Sequence, residues 1–307
     1  MLCQLKVAGK GENVVQNART RQGSPPSILL TLLGDYWWRR PEPLPSAALV
    51  ELLGDFGVTT QAARAALSRL ASRGLVEQSR SGRRTGYALT RAGADVLDDG
   101  ARRIFGFGVR EEQWDGAWHI LGITVGAALR ASVHHRLRWL GFAPLNDGLW
   151  VSPWGRLEEA VAMLADRGVR EVSAFRGTAL PSGPGLRPPE SAWSLEELAD
   201  RYVAFTAQAE TALGQTLAGE VAPSRALVLR TELMDSWRVF PALDPELPRE
   251  LLPGRWPGGR ARLAFVDAYT ALGRTARLRV REVVDRHDPE LARLVTDRKD
   301  DHPRSRG

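Results

Sequence analysis

Apolar residues recur every three or four positions in two short stretches near the start of the chain. Ile28, Leu29, Leu32, Leu33 and Tyr36 keep one face of a helix expected from Ser27 to Tyr36. Leu49, Leu52, Leu53 and Phe56 do the same for a second helix, which follows Pro45 and is closed by Gly57. A third amphipathic stretch begins after Thr59 or Thr60, either of which can accept a backbone N–H bond as N-cap. There Ala63, Ala66, Leu67 and Leu70 face inward, while Gln61, Arg64, Ser68 and Ser72 occupy the opposite face at spacings of three, four and four. Gly74 stops this helix. Leu75 to Gln78 and Gly86 to Leu89 then read as strands on either side of Ser79, Arg80, Ser81, Gly82, Arg83 and Arg84, and Thr90 can cap a fourth helix running to about Phe105.

Helices followed by a hairpin with an arginine-rich tip make the pattern of a winged helix-turn-helix, expected over residues 27–105. That arrangement suits a helix lying in a DNA major groove with the hairpin against the flanking phosphates. On this reading the helix contributes Thr59, Thr60, Gln61, Arg64, Ser68 and Arg69 to double-stranded DNA, and the wing contributes Arg80, Arg83 and Arg84. Glutamine can pair bidentately with adenine and arginine with guanine, while serine and threonine reach bases or phosphates. A single exposed arginine more commonly makes no specific contact, so the ensemble carries the reading.

Beyond this segment the period changes. Trp118 to Val125 is a strand-like apolar run, and Leu129, Val133, Leu137 and Leu140 define a helix. A strand from Gly148 to Val151 follows the turn at Asn146 and Asp147; a helix through Leu157, Ala160, Val161 and Leu164 leads to a last strand, Glu171 to Phe175. The order predicts a ferredoxin-like α/β domain over residues 113–180, a fold whose sheet often leaves a face or edge open to self-association. The Pro- and Gly-dense segment LPSGPGLRPPE from Leu180 marks a linker or long loop. Residues 190–296 then read as helical, with Leu195, Leu198, Tyr202 and Phe205 on one helix, Leu227, Leu229, Leu233 and Trp237 on a second, and Phe265, Tyr269 and Leu272 on a third. The fold class is therefore α+β: an N-terminal winged helix-turn-helix, a central ferredoxin-like domain and a C-terminal helical domain. Residues 1–26 are expected to be a disordered leader and 297–307 a frayed tail.

Charge supports the DNA reading independently of the motif. Residues 1–105 carry 15 Lys or Arg against nine Asp or Glu, residues 106–180 eight against eight, and residues 181–307 19 against 19. The whole excess of +6 sits in residues 1–105, which contain the winged-helix segment, as counterion release from a phosphate backbone would call for. A net charge of this size can serve solubility alone; its coincidence with the motif favours the former. At 307 residues and 43% hydrophobic, the chain can bury ordinary cores in two or three domains. No apolar run approaches the roughly 20 residues needed to cross a bilayer, and MLCQLKVAGKGENVVQ lacks a signal-peptide core, so a soluble cytoplasmic protein without membrane partners is expected. Cys3 is the only cysteine, which excludes an intramolecular disulfide and a thiolate-rich zinc site.

Three passages in order resemble the PaaX family of phenylacetic acid degradation repressors, whose winged helix belongs to the GntR-like group. The first joins LLTLLGDYWW to FGVTTQAARAALSRLASRGLVEQSRSGRRTGYALT; the second joins WDGAWHILGI, from Trp114, to LRWLGFAPLNDGLWVSPW, from Leu137; the third is SWRVFPALDPELPRELLPGRWPG, from Ser236. A winged helix alone is a weak signal, whereas this order is specific. The resemblance implies a one-component transcriptional repressor without a cofactor. It would be a homodimer that binds a palindromic operator near catabolic promoters and releases it when a small effector binds. In the founding members that effector is phenylacetyl-CoA, which points to an acyl-CoA thioester. No compact effector motif carries over.

Candidate effector contacts therefore come from the residues alone. Arg230 and Arg238 stand eight apart, nearly on one helical face, and with Trp237 they could meet acyl-CoA phosphates and an aromatic group. Such arginines more often pair with surface carboxylates, and a large aromatic such as Trp193, Trp237 or Trp256 is more often core than pocket lining.

The competing class is an enzyme: a metal-dependent nuclease or an acyl-CoA hydrolase using the winged helix for targeting. The central segment also resembles the ferredoxin-like fold of CRISPR adaptation nucleases, which need a metal-holding carboxylate at the end of the first strand. Trp118 to Val125 contains none, and Asp115 precedes the strand instead, so this domain is expected to be catalytically silent and used for dimer contacts. His134 and His135 point about 100° apart on a helix and cannot easily face one metal. The Ser182-Gly-Pro-Gly stretch lacks the spacing of a nucleophile elbow, and GKGEN lacks that of a phosphate-binding loop. Neither catalytic nor metal residues are expected.

Overall fold

The computed structural model describes residues 23–82, 84–109, 113–180 and 183–297. Residues 1–22 of the expected leader, residues 298–307 of the expected tail and Arg83 lie outside the described residues. The chain divides into two units, one made of residues 1–101, 210–237 and 266–307, the other of residues 102–209 and 238–265.

In the first unit, Pro25 and Pro26 open α1 (Pro25–Tyr36), at positions whose N–H groups would have no helical partner. A two-residue strand, β1 (Leu44–Pro45), leads into α2 (Ser46–Gly54), and α3 (Thr60–Ser72) follows after the left-handed Gly57. β2 (Val76–Ser81) and β3 (Arg84–Leu89) pair antiparallel, and β1 adds to β3 to give the order β1-β3-β2. α4 (Arg91–Phe105), whose last four residues fall in the second unit, starts where the Gly93 N–H donates to Thr90 Oγ1 at 3.0 Å. Leu29, Leu33, Leu49, Leu53, Leu67 and Leu70 are buried together, each contributing about 1.5–3 kcal/mol relative to exposure.

Both wing strands run further than hydrophobic alternation indicates. The ladder continues through Ser79↔Gly86 and Arg80↔Thr85 to Ser81↔Arg84, in place of strands confined to Leu75–Gln78 and Gly86–Leu89. Backbone pairing holds these polar positions, so no side-chain period marks them.

The same unit holds α8 (Pro223–Trp237), the later part of α10 (Gly258–His287) and α11 (Pro289–Ala292). Ala226, Leu227 and Leu233 of α8 and Leu272, Val280 and Val283 of α10 are buried. Arg279 of α10 donates to both Asp55 oxygens, at 2.8 and 3.0 Å, and Arg286 and His287 meet Glu51 of α2.

In the second unit, β4 (Trp118–Ile123), α5 (Ala127–Trp139), β5 (Ala143–Asn146), β6 (Leu149–Ser152), α6 (Leu157–Asp166) and β7 (Val172–Gly177) follow in sequence. The sheet is antiparallel with order β5-β6-β4-β7, the arrangement of a ferredoxin-like domain. β5 is a separate strand for which the sequence offers no alternation. Leu121, Ile123 and Trp150 of the sheet pack with Val133 and Leu137 of α5 and Leu164 of α6. Tyr202, on the first half of α7 (Leu195–Leu217), stacks on Phe240 of α9 (Phe240–Leu243) at 4.2 Å and donates to Asp244 at 2.6 Å. The helices beyond residue 190 are thus divided between the units, with α7 and α10 contributing residues to both.

Candidate nucleic-acid interface

Thr59 and Gly74 set the two ends of α3. Of the two threonines able to cap it, Thr59 does so: its backbone is extended (φ −66°, ψ 153°) and its Oγ1 accepts from the Ala62 N–H at 3.3 Å. Thr60 is the first helical residue and is exposed. Gly74, at φ +67°, adopts the left-handed conformation that ends the helix, its N–H donating to the Ala71 carbonyl at 2.9 Å. Thr59→Ala should lower stability by about 1 kcal/mol, measured by denaturant unfolding, whereas Thr59→Ser should retain most of it. Equal losses for the two would show that the hydroxyl cap does not hold the helix.

Ala63, Ala66, Leu67 and Leu70 are buried, and Gln61, Arg64, Ser68, Arg69 and Ser72 are exposed. The Ser72 hydroxyl donates to the Arg69 carbonyl at 3.0 Å and is engaged locally. Gln61, Arg64 and Ser68 make no side-chain hydrogen bond among the described residues, so their polar groups are turned to solvent. The four spacing-related positions do lie on one outward face, with Arg69 beside it.

The wing is tight. Ser81↔Arg84 closes a two-residue connection in which Gly82 takes φ +61°. Arg80 and Arg84 are exposed, and by strand alternation they leave opposite faces of the hairpin, so the wing offers guanidinium groups on both sides.

The three candidate effector contacts are placed differently. Arg230 is 0% exposed, donating from Nη1 to Tyr36 Oη at 2.9 Å and from Nη2 to Asp297 Oδ1 at 2.6 Å, with its guanidinium carbon 4.1 Å from the Tyr269 ring centroid. Tyr269 donates in turn to Asp35 Oδ1 at 2.6 Å. Burial alone would lower the Arg230 pKa, but Tyr269, Tyr36, Asp35 and Asp297 hold it above its ordinary value. The site is a closed internal charge cluster, and an effector phosphate reaching Arg230 would have to displace Asp297. Trp237 is buried at the end of α8, and Arg238 lies just beyond the helix, in the second unit, half-buried.

In that second unit Trp193, Leu198, Arg201, Leu243 and Pro245 line a cavity of about 160 Å³. It falls below the ~300–1,000 Å³ usual for small-molecule sites. Asp115 accepts the Ala117 N–H at 2.9 Å and meets Arg176; these contacts hold its carboxyl below the usual carboxylate range. Among the described residues no group of three or more His, Cys, Asp or Glu is placed to hold a metal ion, and no helix is long and apolar enough to cross a membrane.

Family models match three successive segments: PaaX-like protein over residues 24–93, PaaX protein central Cas2-like domain over 111–187, and PaaX-like protein C-terminal domain over 193–282. The Escherichia coli (strain K12) protein described as Transcriptional repressor PaaX is 31% identical over 252 residues, covering 79% of this chain and 78% of that one. Among solved structures, the uncharacterized protein Rv0674 from Mycobacterium tuberculosis is 25% identical with a TM-score of 0.48, covering 82% of this chain and 97% of that one. With the winged helix, the Cas2-like sheet and the C-terminal helices all matched in order, the chain belongs to the PaaX family.

Proposed function

We propose that this chain is a cytoplasmic, homodimeric transcriptional repressor that reads an operator with α3, braces the flanking phosphates with the wing, and lets go when a small effector binds. The observation that carries the reading is the outward polar face of α3, where Gln61, Arg64 and Ser68 present unengaged donors and acceptors beside a basic hairpin. The chain's excess of positive charge lies within residues 1–105, half of it in the winged-helix residues 27–105, and a relative of 31% identity is a transcriptional repressor by name. A regulator needs no catalytic group, and the Cas2-like domain supplies architecture and subunit contacts.

The effector is an acyl-CoA thioester of the kind that reports a catabolic substrate. Release follows from linkage: an effector that weakens operator binding a hundredfold must prefer the non-binding state by about 3 kcal/mol. A dimer state whose two recognition helices no longer match the half-site spacing provides that state. Mapping bound DNA across the genome, followed by gel-shift titration with phenylacetyl-CoA, other acyl-CoA esters and free CoA, tests the reading. Discrete sites upstream of catabolic genes and release by one thioester are expected; retention on DNA under every thioester would overturn the effector assignment.

The wing carries its own expectation. Arg84→Ala should weaken binding to operator and random duplex alike and reduce the slope of log K against log salt by about one. A loss confined to the operator would make Arg84 a base reader.

A further inference from the structure

The two helices that cover the central sheet are oppositely charged. α5 carries Arg130, Arg136 and Arg138 with no acidic residue, and α6 carries Glu158, Glu159 and Asp166 with no basic one. Residues 106–180 balance eight against eight, so the domain segregates its charge without any excess. The inner faces of both helices enter one apolar cluster with Leu121 and Trp150, which leaves both outer faces open on the same side. Each outer face carries exposed alanines, Ala128 and Ala131 on α5 and Ala162 and Ala165 on α6. Because each helix runs back between strands of an antiparallel sheet, the two are antiparallel. The end of α5 lies beside the start of α6, where Arg156 sits 5.3 Å from the Trp139 ring and Trp139 is 55% exposed.

We propose that this helical layer is the surface on which two copies of the chain associate, about a two-fold axis parallel to the helices. Rotation about that axis lays α5 of each copy antiparallel over α6 of the other. The Arg138 end of α5 then meets Glu158 and Glu159, and Arg130 meets Asp166, in two equivalent sets. None of Arg130, Arg138, Glu158 and Asp166 is in an ion pair among the described residues, so these charges await partners. The alanines let the helices approach closely, and Trp139 supplies an aromatic anchor of the kind enriched at interfaces. A nucleic acid is the other candidate for α5, but on this layer its phosphates would also face three carboxylates. A second copy meets both charges with their opposites. The inference rests on the homodimer reading above and gives it a surface.

Sedimentation equilibrium of the full chain tests it with two charge-reversed variants, Arg130→Glu/Arg138→Glu and Glu158→Arg/Asp166→Arg. Each alone should dimerise at least about tenfold more weakly than the unaltered chain, because like charges then face each other. Mixed together, the two should form a heterodimer, because the predominantly acidic layer of one, which keeps only Arg136, complements the predominantly basic layer of the other, which keeps only Glu159. Circular dichroism checks folding. Ala162→Tyr, which keeps every charge and fills the row of small side chains, gives the same reading where a reversed chain fails to fold.

An unaltered chain that is monomeric, reversed chains that self-associate as before, or a mixture that stays monomeric would each overturn the proposal. So would an α5 reversal that leaves the dimer intact while lowering affinity for random duplex, which would assign α5 to nucleic acid. Duplex binding by the unaltered chain, measured in parallel, separates a failure of this surface from a failure of the repressor reading.

Discussion

Replacing Arg230 with methionine should lower the thermal unfolding midpoint by on the order of 10 °C, corresponding to a loss of about 3–5 kcal/mol. Methionine approximates the length of the side chain and removes its charge, so the cavity term stays small and the electrostatic term dominates. The guanidinium is fully buried between Tyr36, Tyr269 and Asp297, and its departure removes the cation that the Asp297 carboxylate faces at 2.6 Å. A buried charge that loses its partner costs far more than the intact pair contributes, because desolvation of the survivor is no longer offset.

Adding Asp297→Asn to Arg230→Met should therefore recover part of the loss, since both formal charges are then gone. Calorimetry on the two variants decides the matter: a midpoint within about 2 °C of the unaltered chain for Arg230→Met, or no recovery in the double variant, would show that the pair is not a structural element. Gly273 belongs to the same arrangement. A glycine inside α10 costs the helix about 1 kcal/mol relative to alanine, yet a Cβ here would lie 2.3 Å from Asp297 Oδ2 and 3.4 Å from Arg230 Cζ. Backbone without a side chain leaves room for the ion pair.

Arg64→Ala should weaken binding to the mapped operator by about 5- to 150-fold, the equivalent of 1–3 kcal/mol for a bidentate base contact, with a much smaller change on random duplex. The side chain stands one turn into α3, exposed and without an ion pair among the described residues, so its truncation removes no internal contact and should leave the unfolding midpoint close to that of the unaltered chain. Arg64→Lys should not rescue full affinity, because an ammonium cannot reproduce the two parallel bonds of a guanidinium to guanine. The measurement is affinity on operator and random DNA at matched salt. Equal losses on both would remove Arg64 from the base-reading set and leave it a phosphate contact.

The winged helix was legible because its signals are local. The inward row Ala63, Ala66, Leu67 and Leu70, the cap at Thr59 and the stop at Gly74 each act within a turn or two of the chain, and together they dictate that Gln61, Arg64 and Ser68 point outward. The strand, helix and turn order of the central domain was legible for the same reason. β1 and β5 were not: two residues, Leu44 and Pro45, or four, Ala143 to Asn146, are too few to show a period, and the partner strand makes them strands. The outer turns of the wing were also hidden, since a polar hairpin is held by main-chain bonds that leave no mark on side-chain identity.

Arg230 shows where local reading ends. Eight residues from Arg238 on an apparent helical face, it resembled a solvent-facing anion contact, but α8 stops at Trp237 and the partners of Arg230 come from Tyr36 and Asp297, 194 and 67 positions away. Periodicity encodes which side of an element is buried, because burial of apolar area is additive along the chain. Which distant group meets a buried charge depends on how separate helices pack, and a low-dielectric contact formed only after that packing has no counterpart in the order of residues.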